Sequence, residues 1–189
     1  MSKKLKSQNC TGIGLLAMLA AVATLISFAT AIFMDPNWTF GVDTLSALGI
    51  STVPGVADLF NLTCIIGGIV LFIIGVIRML KKSGLDMAVA VLLALSGIFL
   101  VGVGLVHLDS SGHVCIASTY GILIILAIVI SMIADWQKGR KLTAVTTIVF
   151  VVIMMGCVPM PFPALEVIAI ALACAWMFLQ GLSWSFSKS

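Results

Sequence analysis

The sequence predicts an all-α integral membrane protein, a bundle of six antiparallel transmembrane helices that forms one domain over residues 1–189. Three observations indicate this fold class. Hydrophobic residues make up 61% of the chain and charged residues 9%, whereas a soluble domain carries about 25% charged residues. Six apolar segments are long enough to cross the hydrocarbon core of a bilayer, which takes about 20 helical residues. All ten Lys and Arg residues fall in connections that six crossings would place on one side.

The six predicted helices cover residues 11–34, 56–77, 87–108, 114–134, 142–158 and 164–186. The first follows a lysine-rich start and could be read as a cleavable signal peptide, which would leave five helices. Its apolar run is longer than the roughly 7–15 residues of such peptides, so we expect a retained membrane helix. The fifth is the shortest. It ends in a stretch with three alternating prolines that predict a rigid turn, since proline cannot continue a helix: Pro159, Pro161 and Pro163.

The connection after the first helix, residues 35–55, predicts a short additional helix lying at the outer membrane interface. Asp43 is a suitable N-cap for this helix and Gly49 a suitable C′ residue. Trp38 precedes it and is expected to anchor at headgroup level, where tryptophan is enriched.

The distribution of basic residues predicts that both termini are cytoplasmic. Cytoplasmic loops carry an excess of Lys and Arg. Here every basic residue lies before the first helix, between the second and third, between the fourth and fifth, or after the sixth. We therefore expect a multi-pass protein of the plasma membrane. Because the basic residues form short loop clusters, the net charge of +3 does not indicate a nucleic-acid partner.

Glycines recur on the second and third helices. Gly68 and Gly75 lie seven residues apart, as do Gly97 and Gly104, so each pair lies on one helical face. Small residues let helix backbones approach closely in membranes. These faces are expected to pack helices together, and they would also suit a homo-oligomer.

Polar side chains near the membrane segments are the candidates for function, since such groups are costly in a bilayer. Those expected to bind a ligand belong to the outer third of the bundle: Asp43, Ser46, Asn61, His113 and Glu166. Glu166 is the only glutamate and is expected in the first turn of the sixth helix, where the helix dipole alone could account for it. It also shares a helical face with Gln180, which favours an inward orientation.

A divalent metal is a second interpretation of the same region. His107, Asp109 and His113 carry imidazole and carboxylate groups of the kind that bind zinc. A turn separates the two histidines, however, and they could instead cap helix ends at a wet interface. In this hypothesis Glu166 or Asp43 would activate water and be the catalytic residue. The five cysteines form no CxxC pair, which argues against a structural zinc site and against a disulfide framework.

Several short motifs follow one another along the chain: Leu45 to Gly49, Leu59 to Asn61, Gly97 to Gly104, Asp109 and His113. In this order they resemble the prokaryotic membrane family called domain of unknown function 998. Family members often carry Phe-Pro before the acidic residue, where this chain has His107-Leu108, so the resemblance assigns no role to His107. It implies a six-helix membrane protein of unknown activity. A more distant likeness to eukaryotic six-helix proteins linked to lipid distribution favours a lipid ligand.

We therefore expect the protein to bind or handle a lipid or other amphiphile in a pocket open to the outer leaflet, with membrane lipids as partners and no cofactor. The alternative is a metal-assisted intramembrane hydrolase or lipid-modifying enzyme. A small transporter ranks third, because the polar residues gather at one end of the bundle whereas ion pathways need ionisable groups near the midplane.

Overall fold

The computed structural model describes the backbone of residues 2–186 and the side chains of residues 12–186. This part of the chain is all-α, as predicted, and contains no β-strand. Its elements are α1 (Ser2–Met34), a 3-10 helix (Leu45–Ile50), α2 (Val56–Met79), α3 (Leu85–Leu105), α4 (His113–Gln137), α5 (Lys141–Cys157) and α6 (Phe162–Phe186).

Five segments are long and apolar enough to cross a membrane: Gly12–Met34, Val56–Met79, Leu85–Leu105, His113–Gln137 and Phe162–Phe186. The sixth apolar helix, α5, has 17 residues and is shorter than these. The chain is therefore a multi-pass membrane protein.

The six α-helices form a ring in sequence order. Each packs beside the next, and α6 packs against α1, which closes the ring. α5 is the most loosely held, and its buried residues are Ala144 and Thr147. The 3-10 helix lies at one end of the bundle, here called the 3-10 end, together with the N-termini of α2, α4 and α6. The other end, called the basic end, contains the N-termini of α3 and α5 and the connection between α4 and α5.

Two close helix contacts depend on glycine. A Cβ atom on Gly68 of α2 would lie 2.6 Å from the Gly97 carbonyl oxygen of α3, and one on Gly14 of α1 would lie 2.4 Å from the Gly181 carbonyl oxygen of α6. Both distances are shorter than a carbon atom tolerates, so only glycine permits this spacing. The glycine faces of α2 and α3 therefore contact each other within one chain.

The structure corrects the prediction for the segment before α2. The segment forms a 3-10 helix with Thr44 as N-cap and Ser51 as C-cap, so Gly49 lies inside it. Asp43 does not cap it, because its Oδ2 accepts a hydrogen bond from the Thr39 backbone N–H at 2.9 Å. The 3-10 helix packs against the bundle. Its leucines are buried against α1 and α2, in an apolar cluster that contains Leu45, Leu48, Phe28, Val56 and Phe60.

Several helix ends differ from the prediction by one to three residues, and two of them bear on the candidate site. α3 ends at Leu105, three residues early, because Val106 adopts an extended backbone (φ −105°, ψ 99°). α6 begins at Phe162, so Pro163 lies in its first turn, where a missing N–H breaks no helical hydrogen bond. Glu166 consequently lies beyond the first turn of α6, which contains no acidic residue. The helix dipole does not account for Glu166.

Candidate functional site

A cavity of about 430 Å³ lies inside the ring at the 3-10 end. Ligand pockets usually measure roughly 300–1,000 Å³. Its walls are mainly apolar and come from all six helices and from the 3-10 segment. They include Phe28, Phe60, Leu100, Val103, Ala117, Gly121, Met154, Leu165, Ala169 and Ile170.

The cavity reaches the surface of the bundle near the first residues of α4 and α6, where two of its lining side chains are largely exposed. Val114 of α4 and Phe162 of α6 line it and are 66% and 69% exposed. The rim on this side is therefore apolar.

Three of the predicted ligand residues line the cavity: Ser46, His113 and Glu166. Glu166 joins α6 to the 3-10 helix. Its Oε2 accepts a hydrogen bond from the Leu45 backbone N–H at 2.7 Å, and its Oε1 accepts one from the Ser46 hydroxyl at 3.0 Å. Both carboxylate oxygens accept, as in the ionised form. Glu166 thus satisfies backbone and side-chain donors at the start of the 3-10 helix and fixes that helix as a wall of the cavity.

His113 is the first residue of α4 and is 3% exposed. Its Nδ1 lies 2.5 Å from the Val106 carbonyl oxygen, just beyond the end of α3. A carbonyl oxygen only accepts hydrogen bonds, so Nδ1 carries the proton. Nε2 is buried and has no hydrogen-bond partner among the described residues. In the neutral ring this atom is an acceptor, and the ring lines the cavity.

The other two predicted ligand residues lie outside the cavity lining. Asp43 contacts its own loop through Thr39, as described above. The Asn61 side-chain amide donates to the Gly49 carbonyl oxygen at 3.0 Å, which holds the end of the 3-10 helix against α2. Both residues shape the 3-10 end.

The structure does not assemble the predicted metal ligands. His107 and Asp109 lie exposed in the connection between α3 and α4, while His113 is buried beneath it. Among residues 12–186, no group of three or more His, Cys, Asp or Glu side chains is arranged to hold a metal ion.

A second polar cluster, at the basic end, was not predicted. The Arg140 guanidinium contacts Asp135 at 2.6 Å and Asp86 at 3.0 Å. Lys138 forms a further ion pair with Asp86. The Gln180 amide donates to Asp135 at 2.8 Å. The cluster therefore connects α3, α4, α6 and the connection between α4 and α5, and we call it the basic-end network.

A buried arginine adds to the packing at the same end. The Arg78 guanidinium carbon lies 3.5 Å from the centroid of the Trp184 ring, so the last turn of α2 stacks on α6. Arginine over tryptophan is a favourable cation–π contact. The Arg78–Trp184 pair and the basic-end network together hold the helices in place at the basic end.

Asp35 follows α1 at the 3-10 end. The Ser51 hydroxyl donates to its Oδ2 at 2.5 Å, and the Asn37 backbone N–H donates to its Oδ1 at 3.0 Å. These hydrogen bonds, the one from Ser51 above all, lower the pKa of the Asp35 carboxyl below its usual value because they favour the charged form. Asp35 thereby ties both ends of the connection between α1 and α2 together.

The family described as Protein of unknown function (DUF998) matches residues 18–183. The match covers most of the chain, and the chain belongs to this family. No curated protein and no solved structure shows significant similarity to it.

Proposed function

We propose that this protein binds a lipid or other amphiphile in the cavity at the 3-10 end. The observation that carries the proposal is the combination of apolar walls, one polar corner and an apolar rim formed by Val114 and Phe162. Amphiphiles need these three features, because their tails lose nothing by leaving lipid for an apolar wall while their heads need hydrogen bonds.

The polar corner is formed by Ser46, His113 and Glu166. Ser46 and Glu166 are held by each other, and His113 is held by Val106. Because these contacts fix the side chains before a ligand arrives, binding would cost little conformational entropy in these residues. The unpartnered Nε2 atom of His113 is the group best placed to meet a ligand.

The proposal includes an orientation. We infer that α5 crosses the plasma membrane as a sixth span and that both termini are cytoplasmic. The basic connections between α2 and α3 and between α4 and α5 would then be cytoplasmic, as Lys and Arg usually are. The cavity would lie in the outer half of the bilayer and receive its ligand from the outer leaflet.

A cavity-filling variant tests the proposal. Gly121 lines the cavity, and a Cβ atom added to it meets no other atom within 4 Å. Gly121→Phe should therefore fill the cavity without displacing the backbone. Gly156 of α5 has the same free space but does not line the cavity, so Gly156→Phe is the matched control. Phenylalanine also favours a helix more than glycine does, which keeps both variants folded.

The measurement is native mass spectrometry of lipids that remain bound after purification in detergent. Wild type and Gly156→Phe should retain a defined lipid adduct, and Gly121→Phe should lose at least nine-tenths of its occupancy, on the order of 1.4 kcal/mol of binding free energy or more. Equal adducts on all three proteins would show that the cavity is not the binding site and would overturn the proposal.

A further inference from the structure

We infer that the ligand has a single hydrocarbon chain and a head that donates a hydrogen bond and carries no negative charge, such as a long-chain alcohol or amine. This inference rests on the proposed function and defines the chemical class that the cavity selects. It follows from the charge of the lining, from its hydrogen-bonding groups and from the shape of the space beneath them.

The charge of the lining disfavours anions. Glu166 contributes a carboxylate, and neither lysine nor arginine occurs among the described residues that line the cavity. The basic residues whose side chains are described lie at the opposite end of the bundle: Arg78, Lys81, Lys82, Lys138, Arg140 and Lys141. In a poorly solvated site, two like charges without a counter-ion repel strongly. A phosphate or carboxylate head would meet such repulsion, and an amine or alcohol would not.

At the polar corner, the groups left free for a ligand are acceptors, although the hydroxyls of Thr24, Thr44, Ser118 and Tyr120 also belong to the cavity lining. The hydroxyl of Ser46 already donates to Glu166. Thr63, deeper in the lining, donates to the Leu59 carbonyl oxygen at 2.6 Å. The proton on His113 Nδ1 is directed to Val106, which leaves Nε2 as an acceptor in the neutral ring. The polar corner thus offers lone pairs whose donor would have to come from the ligand.

The shape favours one chain. A second, narrow cavity of about 70 Å³ adjoins the first towards the middle of the bundle. Thr24, Leu100, Tyr120 and Cys174 line both, so the two spaces are neighbours that share a wall. Tyr120 lies seven residues beyond His113 on α4, about 10 Å deeper at helical rise. A tail that starts at His113 would run past Tyr120 into a space too narrow for two chains.

Four ligands with the same 18-carbon, cis-9 chain separate the claims about charge and hydrogen bonding: oleyl alcohol, oleylamine, oleate and the methyl ether of oleyl alcohol. Each is titrated into delipidated protein in detergent at pH 8 and followed by native mass spectrometry. The alcohol and the amine should bind at least tenfold more tightly than oleate, because of charge. They should bind roughly tenfold more tightly than the ether, because a buried acceptor loses its donor.

Two substitutions test whether the charge of the cavity lining causes the difference in affinity between oleate and the alcohol. Glu166→Gln removes the negative charge and should bring oleate to within about threefold of the alcohol. Asp43→Asn removes a carboxylate at the same end that does not line the cavity, and it should leave the discrimination unchanged. The wild-type ranking of the four ligands needs no variant, so it decides the inference even where Glu166→Gln folds poorly.

The outcomes separate this inference from the proposed function. If oleate or the ether bound the wild type as tightly as the alcohol, the inference would be overturned. If that binding were also lost in Gly121→Phe, the cavity would remain the lipid site. The inference would also be overturned if neither oleyl alcohol nor oleylamine bound to the wild type. Equal binding of all four ligands to wild type and to Gly121→Phe would overturn both.

Discussion

The basic-end network provides the sharpest test of the fold. Asp135 is fully buried and Asp86 nearly so, and the Arg140 guanidinium is the group that contacts both carboxylates. Arg140→Met keeps the length of the side chain and removes its charge. Removing one partner from a buried ion pair costs about 3–5 kcal/mol, because the other charge is left uncompensated. Asp135 keeps its hydrogen bond from Gln180 and Asp86 keeps Lys138, so we expect about 3 kcal/mol.

For a chain of this length, such a loss lowers the midpoint of thermal unfolding by about 6–12 °C. Tryptophan fluorescence of detergent-solubilised protein measures the midpoint. Lys138→Met should cost about 0–1 kcal/mol, because the Lys138 side chain is 46% exposed and exposed pairs contribute little. Lys141→Met, at an exposed position beside Arg140, should stay within about 0.5 kcal/mol of wild type.

The double variant Arg140→Met/Asp135→Asn should recover part of the loss, since it removes the uncompensated charge together with its partner. Asparagine still accepts the Gln180 hydrogen bond, so the recovery isolates the effect of charge. We expect a coupling free energy of about 1.5–3 kcal/mol between the two positions. If Arg140→Met proved no more destabilising than Lys141→Met, the two carboxylates would not depend on Arg140 and the reasoning would fail.

Three further predictions concern packing, pH and topology. Gly68→Ala should destabilise the protein by about 1–3 kcal/mol in the same thermal assay, because its Cβ would meet backbone atoms of α3 at 2.6–2.7 Å. Gly67→Ala is the control: its Cβ would make only ordinary contacts, so it should be neutral or stabilising. Because the pKa of Asp35 is lowered, its contribution to stability is complete above about pH 4 and is lost as the pH falls through the lowered pKa. Asp35→Asn should therefore flatten the pH dependence of the unfolding midpoint in acid. In a cysteine-free background, a cysteine at Ser111 should react with an impermeant thiol reagent only from outside intact cells and one at Gly139 only from the cytoplasm; labelling of both from one side would refute the six-span orientation.

Much of the fold could be predicted because the controlling signals are local. Apolar length identifies a helix that can cross a bilayer, and a high apolar fraction excludes a soluble core. The family resemblance rested on short motifs in the same order and was confirmed by the match over residues 18–183. The glycine pairs on α2 and α3 marked a close helix contact for a similarly local reason, since only small residues allow it.

The segment between α1 and α2 was predicted less well, because its conformation depends on a residue far away in sequence. Asp43 has the side chain of an N-cap, but Glu166 of α6 accepts the hydrogen bonds at the start of the 3-10 helix. No local pattern indicates that a glutamate about 120 residues later will do so. The same contact explains Glu166 itself, which the sequence assigned to the dipole of its own helix or to a ligand.

Asp86 and Asp135 were missed for another reason. The rule for orientation counts lysine and arginine, and both aspartates lie at the end where the basic residues gather. Their neighbours Lys138 and Arg140 were therefore used only as loop charges that indicate the orientation. A useful signal was present at Asp135, since it lies in the last turn of α4, where the helix dipole disfavours an acid, and such an acid needs a partner. Basic residues in the next connection were the available ones.

The two ends of the bundle use polar groups differently, and this difference bears on the candidate site. At the basic end, Arg140, Asp86, Asp135 and Gln180 satisfy one another, so the network fixes helices and offers little to a ligand. At the 3-10 end, Glu166 and His113 each hold a connection in place and also line the cavity. Loss of binding in a Glu166 variant could therefore reflect either a displaced 3-10 helix or a missing charge. Gly121→Phe disturbs neither contact, and for this reason the cavity-filling variant, rather than a polar substitution, decides whether a ligand binds there.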